Sequence, residues 1–101
     1  MKFGELINKS RIVVLVFDHT DNLVSKELTT KLYEKQYYDE VVVNSILMVN
    51  NMELCKSLMI KERTVIIYNF GQLSLRLEFD NLDTTVEKIN EYLETQIVTK
   101  L

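Results

Sequence analysis

The chain has 101 residues, of which 47% are apolar and 27% charged, and its formal net charge is −3. This length suits one domain, and this balance is typical of a folded protein that buries a core. Basic and acidic residues are mixed along the chain, which disfavours nucleic acid as a partner. No apolar run resembles a secretory signal or approaches the roughly 20 residues of a membrane span. We therefore expect a cytoplasmic protein, and the lone cysteine, Cys55, fits a reducing compartment.

The first half of the chain predicts helix, strand, helix and strand in that order. Residues 3–7 indicate a short helix or turn, and the continuous apolar run over 11–17 predicts a strand buried on both faces. Apolar residues then recur at helical spacing over 22–37, as in an amphipathic helix packed on a sheet. A second buried strand follows over 41–49, and its polar pair at 44–45 predicts a bulge or a strand boundary.

The next segment predicts a short helix followed by a β-hairpin. The asparagine pair at 50–51 supplies cap chemistry for a helix that contains Cys55. A third strand is predicted over 64–68, and strict alternation of apolar and polar residues predicts a half-buried fourth strand over 73–79. Gly71 lies in the turn between them and tolerates positive φ, so the two strands form an antiparallel hairpin.

The last helix is predicted over 83–97, where Thr84 and Glu87 have capping-box spacing. The order of strands and helices is βαβ followed by ββα. Because crossovers between parallel strands are right-handed, the first two long strands are parallel and the hairpin completes a mixed sheet. We therefore predict one α/β domain over 1–101, with a central four-stranded sheet and helices on both faces.

This order of elements and several short motifs resemble the thioredoxin-like family over nearly the whole chain. Residues 14–17 resemble the family's apolar first core strand, which ends in an aromatic residue, and 51–54 resemble its Asn-Pro-Glu-Leu helix start. Residues 64–68 resemble the Thr and apolar strand that follow its cis-proline, and 70–72 resemble its Asn-Gly-Glu turn. The resemblance implies a thioredoxin-like fold.

The residues that carry the family's chemistry differ in this chain. The resemblance puts Asn22 and Ser25 at the two cysteine positions, Val16 at the buried aspartate, Thr30 near the helix-kinking proline and Arg63 at the cis-proline. An amide is not nucleophilic, and a serine needs an adjacent base. A cis bond before a residue other than proline costs about 3 kcal/mol, so we expect the bond before Arg63 to be trans. The resemblance therefore implies a fold without the dithiol reaction.

Two functions from different classes remain open. The first is a redox-inactive domain that binds another protein in a chaperone or scaffold role, through a contact surface of Asn22, Ser25 and Arg63 or through an exposed sheet edge. The second is a protein related to thiol-disulfide oxidoreductases that uses Cys55 as a monothiol, which requires an exposed thiol with a lowered pKa. The helical spacing of Cys55 favours a packing residue instead.

We predict no catalytic residue, no metal and no cofactor, and a monomer or weak homodimer. His19 lies between two aspartates, but a single histidine in a loop is more typical of a solvated turn than of a metal site. Asn22 and Ser25 are equally explained as a helix cap and a first-turn residue.

Overall fold

The computed structural model describes residues 3–19, 26–28, 30–31, 40–79 and 81–97. Its four strands are β1 (Ile12–Asp18), β2 (Val41–Leu47), β3 (Thr64–Asn69) and β4 (Gln72–Glu78). They form one sheet in the order β2-β1-β3-β4. Strand β1 is parallel to β2 and antiparallel to β3, and β4 is antiparallel to β3. The predicted mixed four-stranded sheet is confirmed.

Helices cover both faces of this sheet, as predicted. They are α1 (Phe3–Ile7), α2 (Met52–Ser57) and α3 (Leu82–Ile97), with a 3-10 turn at Met48–Asn50 and further helical residues at 26–28 and 30–31. One core cluster joins the sheet to α3 and to Leu28, and the other joins it to α1 and α2. Within the described part of the chain, no helix is long and apolar enough to cross a membrane.

Strand β1 supplies the centre of both clusters, because every one of its seven residues is buried. Ile12, Val14 and Val16 face one cluster, and alternate residues face the other. Full burial of an aliphatic side chain contributes roughly 1.5–3 kcal/mol. Val16 is part of this apolar packing, so the position that resembles the family's aspartate serves the core.

Strand β2 runs without a break through the polar pair at which we predicted a bulge or boundary. Asn44 and Ser45 pair in register with Leu15 and Val16 of β1, so that prediction was wrong. Strand β2 lies at the edge of the sheet, where Ser45 is exposed and Asn44 is half-buried, so polar residues are tolerated inside the strand. The register shift lies instead in the pairing of β3 with β4, after Ile67.

Two predicted helix caps also differ from the structure. Asn81 Oδ1 accepts a hydrogen bond from the Thr84 N–H at 2.8 Å, so the capping side chain of α3 is Asn81 rather than Thr84. Asn51 does occupy the cap position of α2, but its Nδ2 donates to the Leu47 carbonyl at 2.8 Å and caps no helix amide. The α3 segment offered several polar residues as candidate caps, and the backbone path selects Asn81.

The β3–β4 turn consists of Phe70 and Gly71, which have φ angles of 53° and 78°. Positive φ at both central residues is the backbone of a type I′ turn, whose twist matches that of the flanking strands. Arg11 contacts this turn with both its backbone and its side chain. Its carbonyl accepts the Phe70 N–H at 2.7 Å, and its guanidinium lies 5.3 Å from the centroid of the Phe70 ring. The same guanidinium donates to the Gln96 carbonyl of α3 at 2.8 Å.

Replacing Gly71 with alanine should destabilise the fold by about 1–2 kcal/mol, because an L-residue is strained at this φ. The added Cβ would also overlap Asn8 Oδ1. Gly4→Ala is the matched control, since it lies in α1 with no atom within 4 Å of the added Cβ and should be neutral or stabilising. Urea unfolding measures both changes, and a Gly71→Ala variant as stable as wild type would contradict this account.

Candidate functional site

His19 and Arg63, two residues considered above as candidates for a site, lie at one end of the sheet. Parallel strands β1 and β2 both finish there, and β3 starts there because it is antiparallel to β1. Asn22 and Ser25 follow β1 in sequence but lie outside the described residues. Arg63 directly precedes β3, and the Glu62–Arg63 bond is trans as expected, since no peptide bond among the described residues is cis.

Asp18, the last residue of β1, is a completely buried carboxylate at this end. Its Oδ1 accepts the His19 N–H at 2.9 Å and lies 2.8 Å from Arg63 Nε. The contact with Arg63 is an ion pair without hydrogen-bond alignment, and Asp18 Oδ2 has no hydrogen-bond partner in the part of the chain that the structure describes. We placed Asp18 and His19 together in a solvated turn, and for Asp18 this was wrong, because the strand continues one residue further into the core.

Cys55 is buried on the inner face of α2, where its exposed fraction is 5%. It packs in the cluster that joins the sheet to α1 and α2. Burial raises the pKa of the Cys55 thiol above its ordinary value. The thiol therefore stays protonated at neutral pH, whereas nucleophilic chemistry needs the thiolate.

A cavity of about 710 Å³ opens beside α2. We call this cavity the methionine groove. The described residues that line it are six apolar and three basic ones: Met48, Val49, Met52, Cys55, Met59, Ile60, His19, Lys56 and Lys61. Apart from Met1, every methionine of the chain lies in this lining. Met52 and Met59 are 71% and 76% exposed, and Val49 is exposed beside them. Adjacent exposed apolar side chains of this kind mark interaction sites.

Met59 occupies a backbone conformation that usually belongs to glycine. Helix α2 ends with the Ile60 N–H donating to the Cys55 carbonyl at 2.8 Å and the Met59 N–H donating to the Lys56 carbonyl at 3.2 Å. In this arrangement the residue at position 59 is left-handed, and its φ is 57°. The conformation costs a residue with a Cβ roughly 1–2 kcal/mol. Since the Met59 side chain is largely exposed, packing does not offset that cost.

Arg76 of β4 fixes the loop that carries Met59. Its guanidinium donates to the Leu58 carbonyl at 2.6 Å and to the Met59 carbonyl at 2.8 Å. These two carbonyls lie at the end of α2, where helix geometry leaves them without an intrahelical partner. The loop after α2, which forms one wall of the groove, is therefore hydrogen-bonded to the edge strand β4.

Solved structures identify the fold around this groove. The chain aligns with oxidised thioredoxin from Plasmodium falciparum at 18% identity, with a TM-score of 0.68, over 89% of this chain and 88% of that one. It aligns with mitochondrial thioredoxin 3 from Saccharomyces cerevisiae at 20% identity and a TM-score of 0.70, over 88% and 86%. The protein has a thioredoxin-like fold. A designed protein also matches, at 24% identity and a TM-score of 0.67, over 90% and 91%.

No protein-family model matches this thioredoxin-like domain, and no curated protein sequence matches it either. At these identities the solved structures establish the fold alone.

The predicted site residues and the groove coincide only in part. Arg63 is paired with Asp18, so it is less free to bind a partner than we expected. Cys55 lies in the groove lining, but as a buried residue. Sequence reasoning missed the groove, although one signal was available, since all internal methionines fall within residues 48–59.

Loss of the Arg63 charge should destabilise the fold, because the buried Asp18 carboxylate would keep no cation. Breaking a fully buried pair costs about 3–5 kcal/mol, and since the Arg63 side chain is 35% exposed, we expect about 1–3 kcal/mol for Arg63→Leu. Adding Asp18→Asn should recover much of that loss. Urea unfolding of the two single variants and the double variant measures the coupling.

Lys61→Leu, which removes an exposed cation from the same loop, is the control. Zero coupling between Asp18 and Arg63 would contradict an ion pair between them.

Alkylation of Cys55 should be slow in the native protein at pH 7, roughly 10-fold or more below its rate in denaturant, because the thiol is buried and protonated. Its rate should rise with pH as the thiolate fraction grows, and because the pKa is raised by burial the rate should still be rising above the ordinary thiol value of 9.0. The stability that the neutral thiol contributes is present below that pH and is lost as the pH rises through the higher native pKa. Mass spectrometry of iodoacetamide labelling against pH tests this, with Cys55→Ala as the unlabelled control. Rapid native labelling at neutral pH would show a reactive thiol.

Proposed function

We propose that this thioredoxin-like domain binds another protein through the methionine groove, as a scaffold or chaperone module, and does not catalyse thiol-disulfide exchange. The observation that carries the proposal is Met59, an exposed apolar residue held in a left-handed conformation at the groove wall. Glycine would suit that backbone better. Strained backbone that stability does not explain is a feature of functional sites.

The composition of the groove suits protein binding. Methionine side chains are flexible and polarisable, so they adapt to different partner surfaces. Met52 and Met59 are largely exposed, and covering them with a partner would stabilise the complex by roughly 25 cal/mol for each Å² of apolar area removed from water. The groove adjoins the sheet end at which the sequence analysis placed a contact surface, but its lining residues differ from those we expected.

The chemistry of the chain argues against a redox role. Dithiol exchange needs a second thiol to resolve the mixed disulfide, and Cys55 is the only cysteine. A monothiol reaction needs an accessible thiolate, whereas Cys55 is buried and its pKa is raised by that burial. No observation favours the monothiol alternative.

Replacing Met59 with glycine separates binding from stability. Met59→Gly should leave the urea midpoint unchanged or raise it, because it relieves left-handed strain, yet it should lower partner binding several-fold. Phe70→Gly is a matched control, since Phe70 is also exposed and left-handed but lies in the β3–β4 turn, outside the groove lining.

Affinity capture from the lysate of the source organism, with quantitative mass spectrometry, compares the full-length variants. Wild type and Phe70→Gly should retain the same proteins, and Met59→Gly should retain less of them. Equal retention by all three would exclude the groove as the binding site. Capture that disappears in Cys55→Ala and on addition of reductant would instead establish a thiol-linked function, as would catalysis of insulin reduction above the rate with dithiothreitol alone.

A further inference from the structure

The rim of the methionine groove carries basic groups. Lys56 on α2, Lys61 in the following loop and His19 after β1 are all exposed and all line it. Among the described lining residues none is acidic, although the chain as a whole has a net charge of −3. A basic rim on an acidic protein favours partners that place carboxylates next to the apolar contact, because complementary charge speeds encounter and excludes other partners.

The backbone at the end of α2, on one side of the groove, is already hydrogen-bonded. The N–H groups of Met59 and Ile60 donate to carbonyls of α2, and the carbonyls of Leu58 and Met59 accept from Arg76. This loop therefore offers side chains to a partner and no free edge for strand addition. An extended segment would bury its own peptide groups without partners here, whereas a helix satisfies them internally.

Helix α3, which carries acidic residues, cannot bind in the methionine groove of a second copy of the chain. Helix α3 carries exposed acidic residues such as Glu87 and Glu91, but Val86, Ile89 and Leu93, which form its apolar face, are buried in the core. Presenting that face to a second copy of the chain would require its removal from the sheet. Helix α3 of a second copy is therefore not the helix that fills the groove.

We infer that the methionine groove binds an amphipathic helix of an acidic partner protein. The apolar residues of that helix, spaced at i, i+3 or i+4 and i+7, contact Val49, Met52 and Met59, and its flanking Asp and Glu residues pair with Lys56 and Lys61. This inference rests on the proposed function, because it names the class of partner for the same groove.

Selection of random 16-residue peptides displayed on phage tests the partner class on the full-length protein. Enriched peptides should combine apolar residues at helical spacing with flanking Asp and Glu. A synthetic peptide of the enriched sequence should bind Lys56→Glu/Lys61→Glu about 10-fold or more weakly than wild type. Lys9→Glu/Lys88→Glu is the matched control, because it changes the net charge equally at exposed lysines outside the groove lining, and it should bind about as well as wild type.

The helical conformation has its own test in the same peptide. A central proline should lower its affinity about 10-fold or more, since proline interrupts a helix. Unchanged affinity with proline, enrichment of basic or uncharged peptides, equal binding by both lysine variants, or no enrichment at all would each overturn the inference. If lysate capture still depends on Met59 in such a case, only the partner class is wrong. If capture is also independent of Met59, the proposed function fails with it.

Discussion

Strand β1 is buried on both faces of the sheet. The neighbouring strands and helices are stabilised mainly by packing against it. Strands β2 and β3 saturate its backbone on the two sides, while the helices cover its alternate side chains. The last residue under this cover is a carboxylate, Asp18. Burying it requires a cation at the same place, since an unpaired buried charge is strongly unfavourable. Arg63 meets that requirement, and in doing so it fixes the chain entering β3 against the end of β1.

The sequence predicted those parts of the fold whose signals are local. The continuous apolar run of β1 and the alternation in β4 each report a periodicity that a few neighbouring residues express. The parallel pairing of β1 with β2 then followed from the handedness of crossovers. Asp18 could not be predicted to be buried, because its stabilising partner lies far along the chain at Arg63. The cap at Asn81 was missed for a related reason, since Thr84 offered an equally good local pattern.

The groove was harder to anticipate, because methionines at helical spacing are as typical of a core as of a surface. Whether Met52 is exposed depends on which face of α2 packs against the sheet, and the residues near Met52 in sequence do not predict that face. The end of α2 gave no clear signal either, since the glycine that usually marks such an end is replaced by Met59. Methionine in place of glycine at position 59 points to a functional surface only once the structure shows that Met59 is exposed and left-handed.

Arg76 has a further consequence for how the groove forms. The carbonyls that end α2 receive their donors from β4, which is an edge strand. Opening of the β3–β4 hairpin would leave those carbonyls without protein partners and release the loop that positions Met59. Local unfolding in proteins proceeds through units whose members support one another. We therefore expect the hairpin and the loop that carries Met59 to open together, so that the groove is complete only when the last strand of the sheet is in place.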